Sequence, residues 1–592
     1  MLFTLRLIAY FINLFMRKIF LYFLTNSLVF CLLAVDSRSS NEALPLYKEH
    51  QILVKFTDAG VRDFLGADCP LKRLEEQYGI TILKSFGTNP GKNQSSALKL
   101  LVHPTLSTQA LIELLKSDPA IEYAEPNYYR RIRSQPNDPH FSKSWGLENN
   151  GDLIDDYWTA TAGCDIKYLP AQTYIRPGPV NVIIVVGDSG VQTNHPDLVN
   201  QIWKNPDETP GNGIDDDNNG YIDDVRGYNF GSNNNDTNDQ NGHGTHVAGI
   251  IAAEASNGIG ITGAFSNAKI LPIAIGDENG AITTEAIISS INYVIELKNK
   301  GHNIVVYNFS FGGYEFSETE KRAFEDLNTA GIIAVAATGN EARNNDYDFF
   351  KSYPDCYDVP NIIAVGASDA HHGLYNQTNY GSKHVDLAAP GNAIYSTHIS
   401  IEQYVFLNGT SQAAPFVSAA VAIAAHNFPN DTVAERVQRI LGNTTPSATW
   451  TGKSVTGGIL NLQNIVNSDN DDLPDWWEED NFSGLSFDGE GDSDGDGFNE
   501  IQEYLSGTNP NSANSRFKPL SYRINPQNVM SLQIQTLAGR SYQLQVNSGL
   551  NSANWQNLGT PIIGDGTTKS FSDTLNLEVN PNRFYRVRVL SQ

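Results

Sequence analysis

Three residues capable of nucleophilic chemistry lie in short motifs that are far apart in the chain. Asp188 ends VIIVVGD, a β-branched run typical of a buried parallel strand that delivers its last residue at one edge of a sheet. His243 opens an apolar helix in NGHGTHVAG, and Ser411 opens another in NGTSQAAP. Unpaired N–H groups at a helix start would stabilise an oxyanion beside Ser411, although a serine there could equally well cap a core helix.

The order Asp, His, Ser, with glycine beside each residue, is that of the subtilisin triad. The motifs DSG, HGTHVAG and GTSxAAP resemble those of the subtilisin-family serine endopeptidases, the subtilases. The resemblance implies that Ser411 attacks the scissile carbonyl and that His243 takes and returns the proton. It also implies that Asp188 orients the imidazole and stabilises its charged form.

Two further strand ends complete the site through the same resemblance. Asn340, in AATGNEA, matches the family's oxyanion asparagine, whose amide would share the substrate oxyanion with the N–H of Ser411. Without the resemblance, Asn340 is a turn residue after a glycine. By the resemblance, the segment that pairs with extended substrate is Ser310, Phe311 and Gly312, and the other wall of the primary specificity pocket is Ala337, Thr338 and Gly339.

Length and composition limit the class of protein. A chain of 592 residues is too long for one hydrophobic core, so several domains are expected. The net charge of −26 argues against nucleic acid as a partner. Four cysteines are too few for a disulfide scaffold, and only Cys164 and Cys356 lie in the expected mature enzyme.

The N-terminal residues favour export. Arg17 and Lys18 precede the apolar run IFLYFLTNSLVFCLLAV, so residues 1–40 are predicted to be a secretory signal peptide, with Met16 as an alternative start. A membrane anchor is the other interpretation, because residues 1–35 are long enough to span a bilayer. We expect a secreted or cell-surface-associated protein that contacts the membrane only during export.

Residues 41–134 follow a compact α/β pattern that resembles the inhibitory propeptide of subtilases. HQILVKF, ITILKSF and SALKLLVH are predicted strands, and TLSTQALIELLKSD is a predicted amphipathic helix. EYAEPNY, near the end of the segment, is the part most similar to a propeptide. The resemblance implies that the segment inhibits the enzyme until it is cut; an independent small domain is the alternative.

Residues 135–466 are the predicted peptidase domain. VNVIIVVGD, AKILPIAIG, NIVVYNFSFGG, GIIAVAATGN and NIIAVGAS are apolar strand runs separated by helical stretches. This alternation predicts an α/β fold with a doubly wound parallel sheet, subtilisin-like by the resemblance, that binds its ligand at the carboxyl ends of the strands.

Acidic loops predict structural calcium, with no cofactor expected for catalysis. Between the Asp and His motifs, Asp215, Asp217, Asn219 and Asp223 follow the oxygen spacing of a calcium loop, although a solvated acidic turn is an equal alternative. Asp197 resembles an aspartate that ligates calcium in many subtilases.

Residues 467–510 carry two EF-hand-like loops that start 25 residues apart. The stronger match is Asp492, Asp494, Asp496, Phe498 (through its carbonyl), Glu500 and Glu503. The weaker match is Asn467, Asp469, Asp471, Asp475 and Glu478. Alternating apolar and polar residues then predict a small β-sandwich over 511–592, which could contact polysaccharide or a cell surface or could only stabilise the chain.

Taken together, the sequence predicts a secreted serine endopeptidase that is made as a self-processed zymogen, acts on polypeptides and is stabilised by calcium. The rival interpretation is a calcium-dependent adhesion or binding protein with an inactive protease domain. One position departs from the family pattern: Gln412 stands beside the nucleophile where subtilases usually carry an oxidisable methionine.

Overall fold

A computed structural model describes residues 47–57, 79–85, 98–103, 106, 108–115, 118, 120–128, 135–155, 157–276, 281–482, 484–487, 489–548, 555–575 and 583–590. The predicted signal peptide and the expected propeptide junction lie outside these residues. The chain divides into two compact units. One consists of residues 134–493 and 509–511; the other contains the described residues before 134 together with 494–508 and 512–591.

The described residues of the N-terminal segment of the second of these units form an antiparallel sheet and a helix. Its elements are β1 (Tyr47–Phe56), β2 (Thr81–Ser85), β3 (Leu98–Val102), α1 (Thr108–Leu115) and β4 (Ile121–Tyr128). The strand order is β2-β3-β1-β4. Leu111 and Leu115 of the amphipathic helix are buried with Ile52 and Val54 of β1, so the helix covers one face of the sheet.

A nine-stranded sheet organises residues 134–493. Its strands are β5 (Ile183–Asp188), β6 (Tyr228–Asn229), β7 (Lys269–Ala274), β8 (Ile304–Phe309), β9 (Ile333–Ala337), β10 (Ile362–Ser368), β11 (Leu387–Pro390), β14 (Thr445–Pro446) and β15 (Gly458–Ile459). The order is β14-β15-β11-β10-β9-β8-β5-β7-β6, and every pair is parallel except β14 with β15. Strands β12 (Ile394–Thr397) and β13 (Tyr404–Leu407) form a separate antiparallel pair.

Helices cover both faces of the large sheet. They are α2 (Tyr168–Gln172), α3 (His243–Ala252), α4 (Thr284–Asn299), α5 (Glu318–Thr329), α6 (Thr410–Asn427), α7 (Val433–Gly442), α8 (Leu462–Val466) and α9 (Asp475–Asn481), with 3₁₀ turns at Phe141–Lys143 and Asp348–Phe350. Successive residues of β5 alternate between two cores: Ile184 packs with α3 and α6, and Val185 packs with α4 and α5. The predicted doubly wound α/β fold is confirmed, and the sheet, which was predicted to be parallel, is parallel except for the pair of β14 with β15.

The C-terminal part contains α10 (Glu500–Ser506) and two antiparallel sheets. The strands are β16 (Ser521–Ile524), β17 (Val529–Gln535), β18 (Ser541–Asn547), β19 (Gln556–Asn557), β20 (Ile562–Ile563), β21 (Thr568–Thr574) and β22 (Phe584–Leu590). One sheet is β16-β17-β21; in the other, β18 pairs with β19, β20 and β22. Leu532 and Phe571 of the first sheet and Leu544 and Val587 of the second belong to one buried cluster.

Two smaller observations concern covalent links and membranes. Cys164 and Cys356 are free thiols, so they do not pair with each other. No helix in the described part of the chain combines the length and apolar character needed to cross a bilayer.

Candidate active site

The predicted acid and base are in contact. Asp188 is the last residue of β5 and His243 is the first residue of α3. His243 Nδ1 lies 2.8 Å from Asp188 Oδ1, and the Asp188 side chain is only 5% exposed. The charge of Asp188 raises the pKa of His243 above its usual value, whereas burial of the ring acts in the opposite direction. Nδ1 therefore binds the carboxylate, which leaves Nε2 to exchange protons.

Ser411 is the second residue of α6, so its N–H has no acceptor within the helix. Its Oγ donates to the carbonyl of Ser310 at 2.9 Å, and Ser310 Oγ donates in return to the carbonyl of Ser411 at 2.9 Å. No hydrogen bond found among the described residues joins Ser411 to His243. Instead, Gln412 Nε2 lies 3.5 Å from His243 Nε2. The hydroxyl must rotate away from Ser310 before His243 can accept its proton.

Asn340 follows β9 and faces the start of α6. Its Oδ1 accepts hydrogen bonds from the N–H and the Oγ1 of Thr410, at 2.9 and 3.3 Å. Because a backbone N–H can only donate, the oxygen of the amide must face Thr410, and Nδ2 is presented as a donor on the other side. Gly409 permits this approach: its φ is +142°, and a Cβ there would lie 3.2 Å from the Asn340 amide. This geometry fits an oxyanion donor.

The two predicted substrate segments leave the carboxyl ends of β8 and β9. Ser310, Phe311 and Gly312 become progressively more exposed after β8, as a segment that receives substrate backbone requires. After β9, Ala337 and Thr338 are buried and Gly339 is partly exposed. The Thr338 side chain points into the core, where Oγ1 donates to the carbonyl of Val365. The pocket wall predicted here is therefore backbone rather than side chain.

A buried network behind this wall was not anticipated from the sequence. The carbonyl of Thr338 accepts hydrogen bonds from Asn345 Nδ2 and Ser352 Oγ, at 3.0 and 3.3 Å. Asn345 Nδ2 also donates to the carboxylate of Asp355, at 2.9 Å. Ser352 Oγ lies 2.7 Å from the same carboxylate, and since the hydroxyl has a single hydrogen, it shares that hydrogen between Asp355 and the more distant carbonyl of Thr338. Burial raises the pKa of Asp355 to about 7. No motif marks these residues, because they meet only after the loop between β9 and β10 has folded.

Asp239 is a further residue of the site that the sequence analysis did not predict. One carboxylate oxygen accepts from Ser189 Oγ at 2.9 Å and from the N–H of Gly242 at 2.8 Å. The other accepts from the N–H and the Oγ1 of Thr245, at 2.9 and 2.7 Å. Asp239 thus fixes the start of α3 relative to the residue after Asp188. Its position four residues before His243, in a helix-start pattern, was the available signal.

The acidic insertion forms a cluster that differs from the predicted ligand set. Carboxylate oxygens of Glu208, Asp217 and Asp224 lie within 4.8 Å of one another. Glu208 is buried, and its Oε2 has no hydrogen-bond partner. By contrast, Asp215 accepts from the N–H groups of Asn219 and Gly220, and Asp223 accepts from those of Gly211, Asn212 and Gly213. Of the four predicted ligands, only Asp217 belongs to the cluster.

Asp197 is fully buried and is held by protein donors. Oδ1 accepts from Asn257 Nδ2 at 2.8 Å, and Oδ2 accepts from the N–H of Ile261 at 2.9 Å and from Tyr404 Oη at 3.2 Å. Burial raises the pKa of Asp197 to about 6. Its calcium role stays a prediction.

The loop over 467–478 brings three of its five predicted ligands together. Carboxylate oxygens of Asp469, Asp471 and Glu478 lie within 4.8 Å of one another. Burial, followed by repulsion from neighbouring aspartates, raises the pKa of Glu478 to about 8 and that of Asp471 to about 7. Such a cluster is stable only if protons or a cation offset its charge.

The second predicted loop, residues 492–503, crosses the division between the two units. Asp492 lies before this division, and the other predicted ligands lie after it. Within the unit that contains residues 494–508, burial and the charges of Asp494, Asp496 and Glu500 raise the pKa of Glu503 to about 7. Asp496 also pairs with Arg516 at 3.1 Å. The ligand roles of Asp492 and of the Phe498 carbonyl stay predictions.

The chain is similar to known subtilases. A model of Peptidase_S8, the Subtilase family, matches residues 180–472. The thermophilic serine proteinase of Bacillus sp. (strain AK1) is 31% identical over 421 residues, which cover 71% of this chain and 88% of that protein. The major intracellular serine protease of Bacillus subtilis is 38% identical over 46% of this chain and 81% of its own length. The cell wall-associated protease of the same species is 30% identical over 58% of this chain and 33% of its own.

The match extends over most of the first of these relatives and includes all three triad motifs. These similarities agree with the fold and with the Asp188–His243 contact at the carboxyl edge of the sheet. The chain belongs to the subtilase family of serine peptidases, enzymes that act on polypeptide substrates.

Proposed function

We propose that the protein is an exported, calcium-stabilised serine endopeptidase, made as a self-processed zymogen, whose catalytic residues are Asp188, His243 and Ser411. The observation that carries the proposal is the 2.8 Å contact between His243 Nδ1 and Asp188 beside a serine at the N-terminus of α6. Asn340, anchored through its Oδ1, supplies the second oxyanion donor.

Acylation uses the positions of these groups. Ser411 Oγ leaves the carbonyl of Ser310, passes its proton to His243 Nε2 and forms a bond to the scissile carbonyl carbon. The oxyanion is held by the Ser411 N–H and Asn340 Nδ2. When the C–N bond breaks, His243 gives the proton to the leaving amine.

Deacylation repeats these steps with water. His243 takes a proton from the water, whose oxygen bonds to the acyl carbon, and the bond from that carbon to Ser411 Oγ breaks. The proton returns to Ser411, and the acid product leaves. Throughout, Asp188 keeps Nδ1 protonated, and its charge favours the imidazolium that forms twice per cycle.

Structural calcium is part of the proposal because the acidic clusters suit a hard cation. Support comes from buried carboxylate oxygens without hydrogen-bond partners in Glu208, Asp471, Glu478, Asp494 and Glu503. Such oxygens are costly unless a cation or a proton neutralises them. Calcium would stabilise the folded chain and take no part in the reaction.

Export and zymogen processing are inferred from residues 1–134. The basic and apolar pattern of residues 1–40 favours a signal peptide. The β1–β4 sheet precedes the peptidase domain, as an inhibitory propeptide would. The relatives include both an intracellular and a cell wall-associated protease, so the export proposal rests on the N-terminal pattern.

The C-terminal part is proposed to be a β-sandwich. Its two antiparallel sheets share one buried cluster, which supports this architecture. Contact with a cell surface or polysaccharide stays a prediction.

Casein hydrolysis by the purified protein tests the peptidase function. We expect hydrolysis that a serine-directed inhibitor abolishes, and none from Ser411→Ala. A folded wild-type protein that does not cleave casein or other unfolded proteins, yet binds cells or polysaccharide in calcium, would instead support the adhesion function.

A further inference from the structure

The loop over 467–478 belongs to the same compact unit as the triad. That unit extends to residue 493, and the loop is followed directly by α9 (Asp475–Asn481). The Subtilase-family match ends at 472, before Asp475 and Glu478. The match therefore ends inside the loop, and the second half of the loop lies beyond the matched region but within the peptidase unit.

Within this loop, Asn467, Asp471 and Asp475 each use one side-chain atom in a hydrogen bond to the backbone, which leaves one side-chain oxygen that could bind a cation. Asn467 Nδ2 donates to the carbonyl of Asp471, Asp471 Oδ1 accepts from the N–H of Leu473, and Asp475 Oδ1 accepts from the N–H of Ser468. The remaining oxygens, Asn467 Oδ1, Asp471 Oδ2 and Asp475 Oδ2, have no hydrogen-bond partner in the part of the chain that the structure describes.

Glu478 provides the clearest sign of a missing ligand. Its side chain is 0% exposed, yet among the described residues neither carboxylate oxygen has a hydrogen-bond partner of good geometry. The backbone of Phe487 makes only a weaker polar contact with this carboxylate. It lies against Asp469 and Asp471, with carboxylate oxygens within 4.8 Å of one another. Glu478 is also the twelfth residue of the loop, where an EF-hand places its bidentate glutamate. A buried carboxylate facing other carboxylates requires a cation to be stable in its charged form.

The loop and α9 are docked onto Tyr174 and Arg176. Tyr174 Oη donates to the carbonyl of Asp471 at 3.2 Å, and Trp476 Nε1 donates to the carbonyl of Tyr174 at 3.1 Å. Arg176 makes a two-pronged ion pair with Asp480, at 2.9 and 3.0 Å. Its guanidinium also lies 4.6 Å from the centre of the Trp476 ring. These contacts come from residues within the acidic loop and from Asp480, which follows it.

The same docking site holds the C-terminal end of α6. The N–H and the Nε of Arg176 donate to the side chain and the carbonyl of Asn427, each at 3.0 Å. A ring nitrogen of His426 lies 2.8 Å from the carbonyl of Arg176. Since α6 begins at Thr410, the helix that carries Ser411 at its N-terminus is fastened here at its other end.

An ion pair adds a second connection. Arg439 of α7 is mostly buried and binds Asp431 at 2.9 Å and Glu479 of α9 at 3.1 Å. Asp431 follows α6 by four residues. Both basic residues that α9 contacts therefore lie beside the end of the nucleophile helix.

We propose that a calcium ion held by Asn467, Asp469, Asp471, Asp475 and Glu478 clamps α9 onto the peptidase unit and thereby fastens the C-terminal end of the nucleophile helix α6. This inference deepens the proposed calcium stabilisation by assigning one site a mechanical role. When the cation is removed, repulsion among the buried carboxylates releases α9 from Arg176 and Arg439.

The experiment compares equivalent loop positions in the full chain, made with Ser411→Ala to prevent self-digestion. Glu478→Gln alters the proposed ligand at position 12 of this loop. Glu503→Gln makes the same change at position 12 of the second loop, where Glu503 lies in the other unit. Asp480→Asn breaks the contact with Arg176 and leaves the ligands intact. The probes are calcium and Tb³⁺. Trp476 and Trp477, which lie between Asp475 and Glu478 in the sequence, would sensitise the luminescence of Tb³⁺ bound in this loop.

Two quantities are measured: tryptophan-sensitised terbium luminescence, and deuterium exchange of the amides around Asn427. We expect calcium to slow this exchange in the Ser411→Ala chain and in Glu503→Gln. Glu478→Gln should weaken terbium binding by about tenfold or more and lose the calcium effect on exchange. Asp480→Asn should bind terbium normally but show a smaller calcium effect on exchange.

Equal terbium binding and equal calcium protection in Glu478→Gln and Glu503→Gln would overturn the clamp. So would binding without any change in exchange near Asn427. If Glu478→Gln fails to fold, the comparison of the Ser411→Ala chain with Asp480→Asn tests the clamp. Calcium must then slow deuterium exchange near Asn427 more in the Ser411→Ala chain than in Asp480→Asn, and an equal effect would overturn the clamp. A failure to cleave casein would refute the peptidase proposal and leave these measurements untouched.

Discussion

At His243, the charge of Asp188 and the burial of the ring have opposite effects on the imidazole, and the charge has the larger one. Because neutral His243 is the base, activity should rise as the pH increases through its raised pKa. Asp188→Asn removes the charge, so the acidic limb of the kcat/KM profile should move to lower pH. The amide would also favour the wrong tautomer, and kcat should fall by about 10⁴-fold, as for the equivalent change in another serine protease.

A pH–rate series for both enzymes on one peptide substrate checks this prediction. Asp236→Asn, an exposed aspartate of the loop before α3, is the matched control and should leave the profile in place. An unmoved acidic limb in Asp188→Asn would mean that another group sets the pH dependence.

Asn340→Ala removes one of the two proposed oxyanion donors. We expect kcat to fall by about a hundred- to a thousandfold with little change in KM, the size measured for this type of donor in a subtilisin. Thermal unfolding should accompany the kinetics, because Asn340 also anchors Thr410. A kcat equal to that of the wild type would place the donor elsewhere.

Gln412 should make the enzyme resistant to peroxide. Its side chain is buried with Nε2 3.5 Å from His243 Nε2, and it has no thioether to form a sulfoxide. Activity after peroxide treatment should therefore be retained in the wild type and lost in Gln412→Met. Equal losses in both proteins, with Cys164 and Cys356 shown to be unmodified, would contradict the prediction.

Motifs predicted the identity of the triad residues because each motif is local and the positions are fixed by a strand end or a helix start. They could not predict that Ser411 Oγ donates to Ser310 rather than to His243, because that choice depends on a rotamer. Glu208 was missed for a different reason: it lies seven residues before Asp215, outside the spacing of a single calcium loop.

At the scale of elements, the start of α3 depends on Asp239. Asp239→Ala would leave the N–H groups of Gly242 and Thr245 without their acceptor. We expect a loss of about 1–3 kcal/mol in the free energy of unfolding. The pKa of His243 should also fall, since Asp239 helps to raise it.

Denaturant unfolding and the pH–rate profile measure these two effects. Asp236→Ala removes an exposed aspartate of the same loop and should change both by much less. Unaltered stability in Asp239→Ala would show that α3 begins without this acceptor.

The strand pattern was predictable because buried parallel strands are continuous apolar runs, as β5, β8 and β10 illustrate. The strand order was not, because the pairing of β5 with β7 and β8 is set by tertiary packing. Nor could the sequence predict that α9 contacts Arg176 and Arg439 through Asp480 and Glu479, because the partners are far apart in the chain.

At the scale of the whole molecule, composition and packing divide the chain differently. The sequence predicted that the peptidase domain ends at 466 and that the acidic loops of 467–510 form a separate segment, whereas the unit that contains the triad extends to 493. Leu473, Trp476 and Trp477 account for this difference, since all three are buried and lie in or beside the acidic loop. Composition reports solvent exposure on average and misses a few large apolar side chains that fasten a segment to its neighbour.

The last prediction concerns the processing of the whole chain. If the zymogen proposal is correct, Ser411 cuts the junction near residues 131–135, so wild-type protein should accumulate with an N-terminus near Gln135. Ser411→Ala should remain an unprocessed precursor, because peptide hydrolysis without the nucleophile is too slow to process it. Intact mass and N-terminal sequencing of both proteins, purified in calcium, provide the measurement. A trace of wild-type enzyme added to Ser411→Ala shows whether the junction can also be cut by a second molecule. Maturation of purified Ser411→Ala on its own would refute self-processing. The casein assay would then still test whether Ser411 is the nucleophile.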